Sequence, residues 1–192
     1  MPGPVDNRVF VLVLQHPQEQ REALSTAPLI AGALRQAKVV IGLSWPSLAR
    51  ALGGTADSKR WAVLHLGAAR APLDKQREIE LLDRHGDILP DPTAILRGLQ
   101  GIVLLDGTWS QAKTLWWRNP WLLRLHRIVL TPPRPARLGR LRREPRREAL
   151  STIEAAALAL RHLEPTPEPA DALLAALDEL LAAARGRPSA SR

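Results

Sequence analysis

Residues 101–121 read GIVLLDGTWSQAKTLWWRNPW, and the periodicity of this stretch changes in the middle. The apolar run 102–105 has the length and composition of a buried strand, and it ends at Asp106. From Trp109 onward the apolar residues recur at helical spacing. The stretch therefore predicts a buried strand that enters a helix through a tight turn.

Asp106 lies at the carboxyl end of this predicted strand, where open α/β sheets place their ligand crevice. Gly107 can take backbone angles closed to other residues, and Thr108 or Ser110 can cap the helix and leave its first amide groups directed at a ligand. Asp106 is thus a candidate catalytic carboxylate. The alternative is an ordinary junction in which Asp106 only hydrogen-bonds the turn.

Apolar runs and helical patterns alternate along the rest of the chain. Strands are predicted at 8–14, 39–43, 61–66, 102–105 and 126–131, and helices at 28–36, 46–52, around 74–82, just before Gly101, from Trp109 onward, and at 151–163 and 170–184. Strands separated by helices imply parallel pairing through right-handed crossovers. The predicted fold class is therefore α/β, a mainly parallel sheet flanked by helices.

The length of 192 residues suits one domain with a single core, so we expect one domain over 1–192 with a disordered tail at 185–192. Apolar residues make up 45% and charged residues 24%, which is ordinary globular composition. The absence of cysteine excludes disulfides, thiol nucleophiles and thiolate metal sites. With no signal-peptide pattern and no apolar run near the roughly 18 residues of a membrane span, we expect a cytoplasmic protein that binds neither membrane nor metal.

Positive charge is concentrated in one segment. Residues 124–148 hold nine arginines and two glutamates, which is a net +7 of the chain's +8. Arginine outnumbers lysine throughout the chain, and this compositional bias explains the choice of residue but not the clustering. Four prolines in 132–147 predict an exposed loop, so we expect this segment to contact the phosphates of a nucleic acid.

Three motifs, in this order along most of the chain, resemble the DTW-domain family. They are His16-Pro17-Gln18-Glu19 with Ser25-Thr26, then Asp106-Gly107-Thr108-Trp109 with Ala112, Pro120 and Leu122, and finally Leu150-Ser151-Thr152-Ile153-Glu154-Ala155. Two features depart from the family: there is no cysteine cluster before the His-Pro motif, and Leu64-His65-Leu66-Gly67 stands where an aromatic residue and proline are usual. The resemblance implies a fold similar to the knotted SPOUT class.

The resemblance also implies an activity: transfer of a 3-amino-3-carboxypropyl group from S-adenosylmethionine to a uridine of tRNA. Asp106 would be the catalytic carboxylate that accepts the proton of the uridine imide or orients the base. The residues implied for S-adenosylmethionine binding are Leu66, Gly67, Leu105, Gly107, Thr108, Trp109, Ser151, Thr152 and Glu154. Those predicted to bind RNA are Arg134, Arg137, Arg140, Arg142, Arg143, Arg146 and Arg147.

Two alternatives stay open at this point. A SPOUT-like RNA methyltransferase would use the same donor but release S-adenosylhomocysteine, and a non-catalytic RNA-binding protein would bind RNA and ignore the donor. The residues have structural interpretations too. Ser151 to Glu154 has the form of a plain capping box, and the tryptophans at 116, 117 and 121 suit helix–sheet packing as well as base stacking.

Overall fold

The computed structural model describes residues 3–22, 24–64, 77–83, 85–131 and 150–185. These residues form strands and helices that alternate for most of the chain. In chain order the elements are β1 (Phe10–Gln15), α1 (Ala27–Ala33), β2 (Ala37–Ile41), α2 (Leu48–Leu52), β3 (Trp61–Leu64), β4 (Ile79–Leu82), α3 (Thr93–Gly98), β5 (Gly101–Asp106), α4 (Trp109–Arg118), β6 (His126–Leu130), α5 (Thr152–Leu163) and α6 (Glu168–Arg185).

The six strands form one sheet in the order β2-β1-β5-β3-β6-β4. All neighbours pair in parallel except β4, which runs antiparallel to β6 at the sheet edge. All six residues of β5 are buried, because strands cover it on both sides and helices on both faces. The α/β class and the mainly parallel sheet are thus confirmed, and the knotted path stays a prediction.

Alternate residues of the central strands point into two separate apolar clusters, one on each face of the sheet. Val11, Val13, Ile102 and Leu104 face one cluster, which α1, α5 and α6 cover. Their neighbours along β1 and β5 face the second cluster, which α2 and α4 cover. Because Asp106 follows Leu104 by two residues, it lies on the face covered by α5.

Gly101 starts β5 beneath the indole ring of Trp61. A Cβ at position 101 would lie 2.5 Å from the Trp61 Cη2 atom, so only glycine lets the ring cross the strand here. The indole ring of Trp61 also packs against the ring of Phe10, with 5.9 Å between the two ring centroids. This packing fixes the amino end of the strand that carries Asp106 at its other end.

Asn119 fixes the end of α4 and is completely buried. Its Oδ1 accepts hydrogen bonds from the Trp45 amide at 2.8 Å and the Trp121 Nε1 at 3.2 Å. Its Nδ2 donates to the carbonyl oxygens of Leu43 at 3.0 Å and Leu115 at 2.7 Å. One amide side chain therefore joins the loop after β2 to the carboxyl end of α4.

The sequence prediction of a helix around 74–82 is wrong for its last four residues, which form β4. Ile79 and Leu81 lie on one side of this strand, and Glu80 between them is 1% exposed on the other. The short Ile-Glu-Leu-Leu run has no strong strand propensity, so pairing with β6 decides its conformation. The antiparallel pairing of β4 with β6 is confined to the edge of the sheet, so the sheet as a whole is mainly parallel, as predicted. Of the predicted tail, Arg185 ends α6 and the rest lies outside the described residues.

Candidate active site

Asp106 is the last residue of β5, and its side chain is only 2% exposed. The Oδ2 atom accepts a hydrogen bond from Gln15 Nε2 at 2.8 Å, and Oδ1 accepts one from the hydroxyl of Thr152. These donors come from the end of β1 and the first residue of α5. The carboxylate is therefore held by two elements distant from it in sequence.

Gln15 reaches Asp106 because the two residues are paired in register where β1 and β5 end together. Residues in register on parallel strands point to the same face. The Gln15 Nε2 also donates to Ser25 Oγ at 3.0 Å. The side chains of Ser25, Gln15, Asp106 and Thr152 thus form one continuous chain of hydrogen bonds, the Asp106 network.

Burial raises the pKa of the Asp106 carboxyl above its usual value, and the hydrogen bonds from Thr152 and Gln15 partly oppose that rise. The network therefore holds a carboxylate that is more basic than a solvated aspartate. A buried carboxyl with a shifted pKa at the end of a central strand is the kind of group that active sites use for proton transfer.

Helix α4 begins three residues after Asp106, and its cap is Thr108, one of the two capping residues that the sequence allows. Thr108 Oγ1 accepts from the Gln111 amide at 3.4 Å, and Gln111 Oε1 accepts from the Thr108 amide at 2.7 Å, which makes a reciprocal capping box. Gln111 Nε2 donates to Gln18 Oε1 at 3.1 Å. This contact joins the Asp-Gly-Thr-Trp motif to the His-Pro motif, as does the bond from the His16 amide to the Asp106 carbonyl at 2.9 Å.

Gly107 lies between the carboxylate and this cap, and its φ is 157°. A Cβ there would lie 2.8 Å from Gln111 Cβ and 2.9 Å from Gln111 Oε1. Any side chain at 107 would displace Gln111, which holds both the cap and Gln18. Glycine is therefore required for α4 to begin so close to the end of β5.

A second capped helix terminus meets the site from α5. Ser151 Oγ donates to Glu154 Oε2 at 2.6 Å, the Ser151 amide donates to the same oxygen at 3.1 Å, and Ser151 Oγ accepts from the Glu154 amide at 3.4 Å. The first intrahelical bond runs from the Ala155 amide to the Ser151 carbonyl. Thr152 and Ile153 lie between Ser151 and Glu154 in the sequence, so their amides are in the first turn of α5. This is the positive end of the helix, where an anion is stabilised.

Other residues predicted to bind the donor are placed differently. Leu105 points into the apolar cluster under α4, so only its backbone is available to a ligand. Trp109 is 46% exposed, and Lys113 Nζ lies 5.3 Å from its ring centroid. Trp121 is buried, whereas Trp117 is 78% exposed. Leu66, Gly67 and the predicted RNA-binding arginines, 134 to 147, lie outside the described residues.

Three further observations bear on the surroundings of the site. Among the described residues no cluster of three or more His, Asp or Glu side chains could hold a metal ion. In the same ranges, every helix is too short or too polar to cross a membrane. A cavity of about 600 Å³ opens at the opposite edge of the sheet, between His85 and His126, and none of the predicted site residues lines it.

Sequence reasoning missed Gln15, Gln18 and Gln111 as members of the site. Gln15 had a recognisable signal, because it is the polar residue that ends an apolar strand immediately before His16-Pro17. Ser25 belongs to the first family motif, and the structure shows that its hydroxyl accepts a hydrogen bond from Gln15 Nε2.

The arrangement can perform two chemical tasks. Asp106 can accept a proton, and the capped start of α5 beside it can hold a carboxylate group of a ligand. Both lie at the carboxyl edge of the sheet, where the three sequence motifs meet.

Comparison with known proteins finds several curated relatives. The chain is 31% identical over 164 residues to "tRNA-uridine aminocarboxypropyltransferase 2" of Macaca fascicularis, covering 84% of this chain and 50% of the relative. The protein of the same name in Drosophila melanogaster is 31% identical over 166 residues, covering 82% and 57%, and that of Mus musculus is 30% identical over 164 residues, covering 84% and 50%.

The chain spans about half the length of these curated relatives. No solved structure matches it significantly. The profile of one family, described as the DTW domain, matches residues 2–184. Since that match covers nearly the whole sequence, the chain belongs to the DTW domain family.

Proposed function

We propose that this protein transfers a 3-amino-3-carboxypropyl group from S-adenosylmethionine to N3 of a uridine in tRNA and releases methylthioadenosine. The observation that carries the proposal is the Asp106 network, in which all three motifs of the family meet around one buried carboxylate. The names of the relatives support the reaction and the tRNA substrate. Nucleophilic attack on the methylene next to the sulfonium would form the N–C bond, break the S–C bond and leave neutral methylthioadenosine.

The residues at the carboxyl edge suit such a donor. Its carboxylate would be held by the amide of Thr152, the half-buried first residue of α5, at a positive helix end. Gly107 lets α4 begin close to the end of β5, so the capped start of α4 lies near Asp106. Trp109, half-exposed at the start of α4, would form part of the pocket wall.

The acceptor nitrogen of uridine is a weakly acidic imide and must lose its proton to attack. Asp106 is almost completely covered, whereas Thr152 is only half-buried and donates its hydroxyl hydrogen to Asp106. We therefore assign the proton path to both residues: Thr152 Oγ1 takes the N3 proton while its own proton moves to Asp106 Oδ1. The raised pKa of Asp106 favours this transfer, because a more basic carboxylate is a better acceptor near neutral pH.

The basic segment would bind the tRNA. Its arginines, 134 to 147, are expected to contact phosphates, so they should contribute affinity without sequence preference. Replacing Arg140, Arg142 and Arg143 by alanine should reduce the slope of log affinity against log salt by about 2 to 3 units, at about 0.7 to 0.9 per lost contact. A salt titration on two tRNAs measures this, and an unchanged slope would contradict the assignment.

The experiment that tests the proposal is mass spectrometry of nucleosides and of the small-molecule product after incubation with S-adenosylmethionine and unmodified tRNA. We expect an aminocarboxypropyl adduct on uridine and an equal amount of methylthioadenosine. S-adenosylhomocysteine with a methylated nucleoside would identify a methyltransferase instead. Binding of tRNA with neither product would identify a non-catalytic RNA-binding protein.

A further inference from the structure

The outer face of α4 carries two tryptophans that the fold does not bury. Trp117 is 78% exposed and Trp109 is 46% exposed, and they rank among the few large apolar side chains exposed in the described residues. Side chains eight positions apart project within about 80° of each other on a helix, so both belong to the same face. Large aromatic side chains are normally buried, and their exposure together on one face marks an interaction surface.

The charge of this face is positive. Lys113 lies between the two tryptophans, with its Nζ 5.3 Å from the Trp109 ring centroid. Lys113 is exposed, and α4 contains no acidic residue. The face therefore offers two aromatic rings beside a cation, which is the composition that binds unpaired nucleotides through base stacking and phosphate contacts.

The position of the face connects it to the candidate active site. Helix α4 begins three residues after Asp106, and the axial rise from residue 109 to 117 is about 12 Å at 1.5 Å per residue. A strand of RNA that places one base at the carboxyl edge of the sheet can therefore pass along α4 within a few nucleotides of the reacting uridine.

We propose that the α4 face, formed by Trp109, Lys113 and Trp117, binds unpaired nucleotides that flank the modified uridine. Trp117 stacks on one base, while Lys113 contacts a neighbouring phosphate. This inference rests on the proposed function, because it takes a folded RNA with an unpaired segment as the substrate. It assigns recognition of the unpaired segment to residues outside the arginine-rich segment.

The test measures the affinity of the full chain for a labelled single-stranded RNA of about ten nucleotides, without donor, by fluorescence anisotropy. Loss of one stacked base should make Trp117→Ala bind about 5- to 150-fold more weakly, whereas Trp117→Phe keeps a ring and should stay within a few-fold of the parent. Trp117→Leu is the matched control: it keeps apolar bulk without an aromatic face, so it should behave like the alanine variant.

An abasic oligonucleotide of the same length separates stacking from charge. The parent and Trp117→Ala should bind it equally, whereas Lys113→Gln should weaken binding to both oligonucleotides. Circular dichroism checks that each variant is folded, which the exposure of Trp117 leads us to expect.

Several results would overturn the inference. They are equal binding of the base-containing RNA by the parent and Trp117→Ala, binding by Trp117→Leu as tight as by the parent, and no RNA binding by the parent. If sedimentation shows that the parent self-associates through Trp117 while RNA affinity is unaffected, the face binds a second copy of this chain and the inference is wrong. Because no donor is used, failure to form methylthioadenosine would contradict the proposed function and leave this inference standing.

Discussion

Two buried polar side chains, Asn119 and Asp106, are held in opposite ways. Asn119 is neutral, and three of its four hydrogen bonds are to backbone groups. Asp106 is ionisable, receives its side-chain hydrogen bonds from Gln15 and Thr152, and has a raised pKa. A neutral side chain whose hydrogen bonds are satisfied by backbone groups stabilises the fold. A carboxylate buried with a raised pKa opposes folding at neutral pH, which indicates a role in function instead of stability.

The largest expected effect is on turnover in Asp106→Asn. The asparagine keeps the size of the side chain, and the Gln15 amide can rotate so that its oxygen accepts from both Asn Nδ2 and the Ser25 hydroxyl. The fold and tRNA affinity should therefore survive, while turnover falls by about 10²-fold or more because the proton acceptor is gone. Single-turnover assays at saturating tRNA measure this, and activity within a few-fold of the parent would show that the carboxylate is structural.

Asp106→Asn should lose turnover and keep its fold, whereas Asn119→Ala should lose stability. We expect Asn119→Ala to lower the free energy of unfolding by about 3 kcal/mol. The change leaves the Trp45 amide and the carbonyls of Leu43 and Leu115 without their buried partner. The matched control is Ser44→Ala in the same loop, which removes an exposed hydrogen bond to the Arg118 carbonyl and should cost less than about 0.5 kcal/mol. Urea unfolding measures the free energy of unfolding of both variants, and equal losses would contradict the structural role of Asn119.

An intermediate effect is expected at Thr152, whose hydroxyl is the outer part of the proton path. Thr152→Val keeps the shape and should lower kcat by at least about 10-fold, whereas Thr152→Ser keeps the hydroxyl and should stay within a few-fold of the parent. Circular dichroism and donor affinity, measured by calorimetry, should be little changed in both variants. If valine and serine variants are equally active, Thr152 only packs against Asp106.

The smallest expected effect is on stability against pH. Because the folded pKa of Asp106 is raised, its contribution to parent stability is fully present below the unfolded pKa near 3.8 and is lost as pH rises through the folded value. Asparagine does not titrate, so Asp106→Asn does not lose stability in this way as the pH rises. The unfolding free energy of Asp106→Asn relative to the parent should therefore increase with pH, and parallel curves from pH 4 to 8 would show that burial does not shift this carboxyl.

The same contrast explains what the sequence could predict. Local pattern was sufficient for the strand and helix around Asp106 and for the capping box at Ser151, and it reduced the cap of α4 to Thr108 or Ser110, because each depends on residues within four positions. It was also sufficient to single out Asp106 as the residue at the strand end.

Features that depend on distant pairing could not be predicted in this way. The bond from Gln15 to Asp106 requires the register of β1 against β5, which joins residues 91 positions apart. β4 forms a strand only because β6 lies beside it, so its helix-like sequence was misleading. For Asn119, the sequence showed an Asn-Pro pair after a helix but gave no sign of the loop at Leu43 to Trp45 that it binds.

The most direct test of the central claim, that Asp106 is kept to accept the proton of the acceptor base, is the pH dependence of kcat/KM for the parent and Asp106→Asn. The parent should lose activity on acidification through a single protonation with an apparent pKa above the ordinary aspartate value of 3.8. Asp106→Asn should show a low rate without that acidic limb. An acidic limb of the same midpoint in both proteins would assign the proton acceptor to another group and contradict the account.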